Sequence, residues 1–208
     1  MIDPVAIRFE SLTFAKALGF PVNPALPLLD ASPVVRTSDD VVDRLLAMEC
    51  AAACASGIDH PTAVAWLDRE RKTDLSTSAE RQYLNSRIGQ SLPFLLQVEA
   101  MWALAWSIQC VPGLDFAKPC DADFVLRLPD LKGGRSSQPF RGRGEMRPAS
   151  QVVSACDLAY CLHWGIRDSQ YRGEKSPGAV DPYVIVERRR ALEWLLTDEP
   201  WEDISLDT

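Results

Sequence analysis

Carboxylates, arginines and a histidine recur beside aromatic residues in two segments late in the chain. The segment SACDLAYCLHWGIRD contains Asp157, His163 and Arg167, and DPYVIVERRRALEWLL contains Glu187 and Arg188. A carboxylate or imidazole whose pKa is tuned by burial and neighbouring charges can act as a general acid or base, and an arginine can hold an anionic group. An enzyme or small-ligand sensor that uses an anionic substrate is therefore one candidate function.

A further carboxylate, Glu99, interrupts the apolar segment LPFLLQVEAMWALAWSIQCV. At about 100° per residue, Glu99 shares a helix stripe with Trp102 and Trp106, so it needs a hydrogen-bond donor once it is buried. The candidates for acid–base chemistry are Glu99, Asp157, His163 and Glu187, and those for holding a ligand are Arg167, Arg188, Tyr160 and Trp164.

The same residues also fit a structural ion-pair network that joins several helices, with His163 donating to a carboxylate. A buried charge without a partner costs several kcal/mol or more, so charges among tryptophans predict a buried, paired polar centre. Its predicted members are Glu99, Asp157, Arg167, Glu187 and Arg188. The structural interpretation is preferred, because networks of this kind shift pKa values as active sites do.

No metal, cofactor or nucleophile is expected from the remaining motifs. His60 and His163 are the two histidines of the chain, and they form no H-x-x-x-H pair. The six cysteines show neither a C-x-x-C pair nor zinc-like spacing, and we predict buried free thiols. A G-x-S-x-G elbow is absent from the sequence, so covalent catalysis is not favoured.

Composition predicts an acidic globular protein. The 208 residues are 47% hydrophobic and 25% charged with a net charge of −7, which fits one domain over residues 1–208. This charge argues against nucleic acid as a partner, because phosphate contacts need a basic surface. The start resembles no secretory signal and no apolar stretch is long enough to span a membrane, so we expect a cytoplasmic location.

Two segments differ from the rest in composition. Residues 132–149 contain five basic residues and one acidic residue, a charge of +4, and are rich in glycine, which predicts a flexible Arg/Gly-rich loop. Residues 197–208 are acidic, and Trp201 is expected to anchor them as a C-terminal tail on the helices.

Periodicity and capping signals predict an all-α or mainly α fold, a single-domain bundle of roughly seven helices. A minor short β pair near the N-terminus is allowed, with a strand at residues 34–36. Helix starts are predicted at Thr37 with Asp40, at Asp59 or His60 before Pro61, at Thr77 with Glu80, at Ser150 and at Asp181 with Pro182. Residues 5–18 form a first short helix, and residues 92–111 form one buried helix of about five turns.

Six segments together resemble the bacterial domain-of-unknown-function family 4272, from about residue 8 to the end of the chain. They are KALGFPVNPALP, VVRTSDDVVDRLLAMECAAA, QVEAMWALAW, CDLAYCLHWGIRD, DPYVIVERRRALEWLL and WEDISLDT. The family's patterns fall on Asp157, Leu158, Tyr160, His163, Trp164 and Arg167, on Glu187, Arg188, Ala191, Leu192, Trp194 and Leu195, and on Asp207 and Thr208. Arg190 and Glu193 depart from the aromatic residue and the Asn that are commoner there. The resemblance implies a mostly helical fold and no particular reaction.

A protein-binding module is the other candidate function. A small acidic protein without a catalytic signature can act by blocking a basic active site, as toxin-neutralising immunity proteins do, because charge speeds and selects association. We therefore expect a basic protein partner, such as a toxin, for an immunity-type or adaptor protein. The sequence leaves the oligomeric state open.

Overall fold

The computed structural model describes residues 2–70, 75–86 and 89–208, and the regular structure within these ranges is helical. The helices are α1 (Pro4–Ala17), α2 (Ser38–Ala55), α3 (His60–Arg69), α4 (Ser78–Ser86), α5 (Leu92–Leu96), α6 (Val98–Ser107), α7 (Gln138–Arg141), α8 (Ala149–Tyr171) and α9 (Pro182–Leu195). Short 3-10 turns lie at Phe124–Arg127 and Trp201–Asp203. The predicted all-α class is confirmed.

Side-chain caps begin several of these helices where the sequence predicted them. Thr37 and Asp40 form a complete capping box before α2. Thr77 and Glu80 exchange the same two bonds before α4, at 2.8 and 3.2 Å. The Asp59 side chain caps α3. Such caps stabilise a helix by about 1 kcal/mol each, and they act between residues only three positions apart.

The single helix predicted over residues 92–111 is wrong. The structure has two helices there, α5 and α6, which meet at Gln97, whose backbone has φ −60° and ψ −13°. Helix α6 ends at Ser107, and Gln109 takes a left-handed φ of 59° two residues later. Because residues on both sides of Gln97 are apolar, the hydrophobic pattern does not register the interruption.

Two smaller predictions are also corrected. Residues 34–36 form no strand, and the Arg36 amide instead donates to the Leu195 carbonyl oxygen at 3.1 Å. Ser150 does not cap α8, because Pro148 is the residue before the helix and no side chain caps it. At residues 34–36 a long-range hydrogen bond to α9 is formed instead of a strand pair. At the start of α8 a proline takes the position that a capping side chain was expected to occupy.

Backbone contacts divide the chain into two compact units, which are described separately. Unit 1 contains the residues up to Arg36 together with Leu114–Pro119 and Arg147–Thr208, and unit 2 contains Thr37–Gly113 and Cys120–Met146. That residues 1–208 fold as one cooperative domain stays a prediction.

In unit 1, α8 packs against both α1 and α9. Gly165 lets residues 18–36, which we call the connector, approach α8 closely. A Cβ at position 165 would lie 2.8 Å from the carbonyl oxygen of Pro21 and 3.2 Å from the Phe20 ring. This contact distance is too short for any larger residue, so the glycine fixes how the connector crosses the helix.

In unit 2, α2 is the central helix and contacts α3, α4, α5, α6 and α7. Residues 132–146 of the basic segment belong to this unit and contain α7, and the segment's last three residues belong to unit 1. Ser137 is fully buried and bonds the Glu70 carboxylate, and Trp66 donates from its indole to the Arg135 carbonyl oxygen at 2.7 Å. The flexibility of this segment stays a prediction.

Candidate functional site

The carboxylate of Asp157 on α8 forms a buried ion pair with Arg8 on α1. Only 1% of Asp157 and 4% of Arg8 are exposed. Nη2 of the guanidinium lies 2.8 Å from Oδ1, and Nε lies 3.1 Å from Oδ2. The guanidinium also donates to the carbonyl oxygens of Leu26 and Pro27, at 2.7 and 2.8 Å. The pair therefore ties α1, the connector and α8 together.

This arrangement suits Asp157 to a structural role rather than to proton transfer. Burial alone would lower the pKa of Arg8, but the hydrogen bond and charge of Asp157 outweigh it and raise that pKa, so the guanidinium stays charged. Burial, and then Asp157, raises the pKa of the nearby Cys161 thiol to about 12. A thiol with such a pKa is not a thiolate nucleophile at neutral pH.

His163, on the same helix, accepts a hydrogen bond from Arg189 of α9. The Arg189 Nη1 atom lies 2.8 Å from Nδ1 of the imidazole. A guanidinium can only donate, so Nδ1 is the acceptor and the neutral ring carries its proton on Nε2. Burial, followed by the charge of Arg189, lowers the pKa of His163 to about 4. The predicted donation from His163 to a carboxylate is thus replaced, at Nδ1, by acceptance from an arginine.

We expect the stability of the protein to fall between about pH 6.5 and about pH 4 because of His163. The unfolded imidazole takes up its proton near 6.5 and the folded one only near a pKa of about 4, so the unfolded state binds more protons in this window. The full difference corresponds to about 3 kcal/mol. Asn at this position keeps an oxygen acceptor for Arg189 and does not titrate.

Urea unfolding of the parent and of His163→Asn at about pH 7 and about pH 4.5 measures this contribution. The parent should lose about 2 kcal/mol or more of stability beyond the loss of the variant, since other titrating groups are common to both. An equal loss in the two proteins would contradict a depressed His163 pKa.

The ring of Tyr160 is in contact with both Arg8 and Arg189. The Arg189 guanidinium carbon is 4.4 Å from the centre of its ring, and that of Arg8 is 5.7 Å away. Each contact places a cation near an aromatic ring, which is worth about 0.5 to 2 kcal/mol. Of the predicted ligand-binding residues, Tyr160 is therefore already in contact with protein cations.

Arg188, the next residue on α9, is fully buried as predicted. It donates to the carbonyl oxygens of Asp115 and Lys118, at 2.6 and 3.0 Å. Its guanidinium carbon also lies 5.9 Å from the Phe116 ring centre. These contacts hold the segment Leu114–Pro119 against α9 and favour a structural role for this arginine.

Arg167 is not part of a buried centre, contrary to the prediction. Its side chain is exposed, and it bonds Gln170 at 3.3 Å. The stripe of α8 that starts at Tyr160 and passes through the half-buried Trp164 emerges into solvent, ending at Tyr171 with 94% exposure. A helical wheel predicts which face of the helix a residue occupies. It does not predict how far along the helix the packing against other elements continues.

The two remaining carboxylates have different surroundings. Glu187 is half-buried, and burial raises its pKa while Arg190, 3.8 Å away, opposes the rise. Glu99 belongs to unit 2, is 1% exposed and accepts a hydrogen bond from the Cys120 amide at 2.9 Å. The backbone amide of Cys120 is therefore a hydrogen-bond donor of the kind that the sequence predicted for a buried Glu99.

Sequence analysis missed two arginines that complete buried pairs. One is Arg8, which shares the buried face of α1 with Ser11 and Ala15; the small residues at positions 11 and 15 on the same face were the available signal. The other is Arg44 on α2, whose Nη1 and Nη2 lie 2.8 and 2.6 Å from the two oxygens of Glu80. In that pair the side chains are 4% and 0% exposed.

The cysteines follow the prediction in that all six are free. Four are buried, and Cys110 and Cys120 are half-buried. The pKa of the Cys54 thiol is raised to about 11, mainly by burial and to a smaller extent by the negative charge of Asp59. Among the described residues, no group of three or more histidine, cysteine or acidic side chains could hold a metal ion.

A groove of about 520 Å³ in unit 1 is rich in carboxylates. It lies between the connector near Leu29 and the end of α9 with the segment that follows it. The lining residues are Leu29, Asp30, Pro33, Glu193, Leu196, Thr197, Glu199, Asp203, Ile204 and Ser205. Four of them are acidic, none is lysine or arginine, and the C-terminal end of a helix adds partial negative charge. We call this feature the acidic groove.

Other cavities of the described residues include two smaller ones. One of about 480 Å³ lies at the start of α9 and includes Lys175 and Tyr183, and one of about 210 Å³ lies beside His60 and Asn85. The acid–base candidates line none of these three cavities. Two of them, Asp157 and His163, are bonded instead to Arg8 and Arg189 in the interior.

The fold and site together define an all-α protein with charge-compensated arginine–carboxylate pairs in its interior and an acidic groove at its surface. The chain belongs to the family described as Domain of unknown function (DUF4272), whose model matches residues 8–204. Neither the search of curated proteins nor the search of solved structures found a match. No helix in the described residues has the length and apolar character needed to cross a membrane.

Proposed function

We propose that the protein is a protein-binding module that receives a basic segment of a partner protein in the acidic groove. An immunity-type protein that neutralises a basic toxin, or an adaptor protein, fits this description. The proposal includes a cytoplasmic location. The observation that carries it is the composition of the groove, which has four carboxylates and no cation in its lining.

The apolar members of the lining support a protein segment as the occupant. Leu29, Leu196 and Ile204 offer contacts to the aliphatic stem of an arginine or lysine side chain, whose charged head can reach Glu199 or Asp203. Glu199 and Asp203 are exposed, so they remain accessible to a partner. Complementary charge of this kind raises the association rate and selects basic partners.

The interior charged residues give the enzyme hypothesis less support. Asp157 is held by Arg8, and His163 is neutral with its Nδ1 bonded to Arg189. A general base must reach a substrate proton within hydrogen-bond distance, directly or through one water. Side chains that are enclosed and bonded in this way are better suited to holding the helices together.

Binding of nona-arginine, measured by isothermal titration calorimetry, tests the proposed function. The double variant Glu199→Lys/Asp203→Lys should weaken the affinity about tenfold or more, because it replaces two attractive charges with repulsive ones. The affinity of the parent should also fall as the salt concentration rises. When the parent and this double variant are immobilised on beads and exposed to an extract of the source cells, the parent should retain a basic protein in stoichiometric amount and the variant should not.

A matched control changes the net charge equally at a distance from the groove. Glu10 on α1 and Glu174 after α8 are both exposed and do not line it. The variant Glu10→Lys/Glu174→Lys should bind nona-arginine within about twofold of the parent if the groove is the site. Equal weakening by both double variants would show that only net charge matters and would contradict a specific groove.

A further inference from the structure

One wall of the acidic groove is a segment attached to the helices at a few points. Residues 197–208, which we call the strap, contribute Thr197, Glu199, Asp203, Ile204 and Ser205 to the lining. The strap contains one short 3-10 turn, Trp201–Asp203, and is otherwise irregular. Its position therefore depends on side-chain anchors rather than on a backbone ladder.

Three anchors hold the strap against α9. The Arg36 Nη2 atom donates to the Glu199 carbonyl oxygen at 2.5 Å. The buried ring of Trp201 packs edge-on against Trp194, with 5.7 Å between ring centres. The third anchor lies at the far end, where the buried Arg189 donates to the carbonyl oxygens of Leu206 and Asp207, each at 3.1 Å.

Charge opposes this docking. The strap carries five carboxylates and no lysine or arginine. It docks at the negative end of α9 beside Glu193, whose own charge is partly compensated by Arg189 at 3.1 Å. Like charges within about a Debye length of 10 Å repel one another at moderate salt. A cation in the groove would remove part of this repulsion and so favour the docked strap.

We propose that the strap closes on a basic partner segment, with Arg189 as the positioning residue that holds the strap against α9. This inference rests on the proposed function, since it assigns the binding of the basic segment to the docked form. Linkage makes the effect reciprocal: whatever factor docking contributes to partner affinity, the partner contributes to docking. Arg189 does not itself line the groove; it contacts the strap through main-chain oxygens, and its Nε also donates to the carboxylate of the lining residue Glu193 at 3.1 Å.

Amide hydrogen exchange of the strap and nona-arginine affinity, both measured on the full chain, test the inference. In the parent, nona-arginine should slow strap exchange about tenfold, and added salt alone should also slow it by screening the repulsion. Arg189→Gln should speed strap exchange and weaken nona-arginine about tenfold, while exchange in α1 stays unchanged. Arg190→Gln, which removes the same charge one residue along α9, should leave strap exchange and affinity within about twofold.

A second variant guards against disruption of the interior by Arg189→Gln. A chain that ends at Ile204 lacks the Leu206 and Asp207 oxygens and leaves every helix untouched, so it should reproduce the faster exchange and the weaker binding. Faster strap exchange with unchanged affinity in both variants would overturn the strap and leave the proposed function standing. A parent protein that fails to bind nona-arginine would contradict the proposed function and the closing of the strap together.

Discussion

Replacing Asp157 by asparagine is expected to lower the free energy of unfolding by about 3 to 5 kcal/mol. The substitution leaves the Arg8 guanidinium buried with no opposite charge beside it, and it turns an amide N–H₂ toward a group that can only donate. The loss should be seen as a lower urea midpoint with an unchanged slope. The carbonyl oxygens of Leu26 and Pro27, which also accept from Arg8, cannot supply the missing charge.

Asp168→Asn is the matched control, because it makes the same change on the same helix. Asp168 pairs with Arg172 at 2.6 Å, but these side chains are 26% and 48% exposed. Exposed pairs contribute about 0 to 1 kcal/mol, so this variant should be close to the parent. Similar losses in the two variants would show that Asp157 is solvated rather than enclosed.

The double variant Arg8→Met/Asp157→Leu separates the pair from its burial. Removing both charges also removes the desolvation cost that each charge carries in the interior. We therefore expect the double variant to be more stable than Asp157→Asn, despite having two changes. A double variant that is the least stable of the three would mean that the hydrogen bonds from Arg8 to Leu26 and Pro27 dominate.

Features that depend on neighbouring residues could be predicted from the sequence. The capping boxes at Thr37 and Thr77 were predicted from residues three positions apart, and the structure confirms them. The start of α3 was predicted at Asp59 or His60 from the position of Pro61, and the structure places the cap at Asp59. The helical class follows from the same short-range signals and from apolar periodicity. The burial of Asp157 and Arg188 was also predicted, because both lie among large apolar residues in helix patterns.

Features that depend on distant partners could not be predicted in this way. Arg8 and Asp157 are 149 positions apart, so a single sequence does not indicate that they pair. The interruption at Gln97 has apolar residues on both sides and leaves no trace in the pattern. Arg167 matched the periodicity of Asp157, but packing ends before it along α8, which is a property of tertiary structure.

The acidic groove shows the same limit for function. The acidic segment at residues 197–208 was visible in the sequence, and so was the anchoring role expected of Trp201. Its assembly with Leu29 and Asp30, more than 150 positions earlier, needs the folded connector that Arg8 holds through Leu26 and Pro27. The interior pair and the surface groove are thus linked through one connector.

The second large loss is expected for Glu80→Gln in unit 2, again about 3 to 5 kcal/mol. Glu80 is fully buried, and its carboxylate accepts two bonds from Arg44 and one from the Thr77 amide. Glutamine keeps one acceptor and presents an N–H₂ group to the guanidinium, so both the ion pair and the cap of α4 are weakened.

Asp121→Asn provides the control in the same unit. Asp121 lies 3.4 Å from Arg127, and these side chains are 54% and 40% exposed, so the expected loss is below about 1 kcal/mol. A loss in Glu80→Gln no larger than this would contradict the burial of the Arg44 pair.

Amide hydrogen exchange of Glu80→Gln also tests whether residues 1–208 unfold as one domain. In a single cooperative domain, the most protected amides of α8 in unit 1 lose as much protection as those of α2 in unit 2, because both exchange through the same global opening. If the units open independently, the substitution lowers protection in α2 and leaves α8 unchanged. In that second case, Asp157→Asn should lower protection in α8 and leave α2 unchanged, so the two variants together distinguish one folding unit from two.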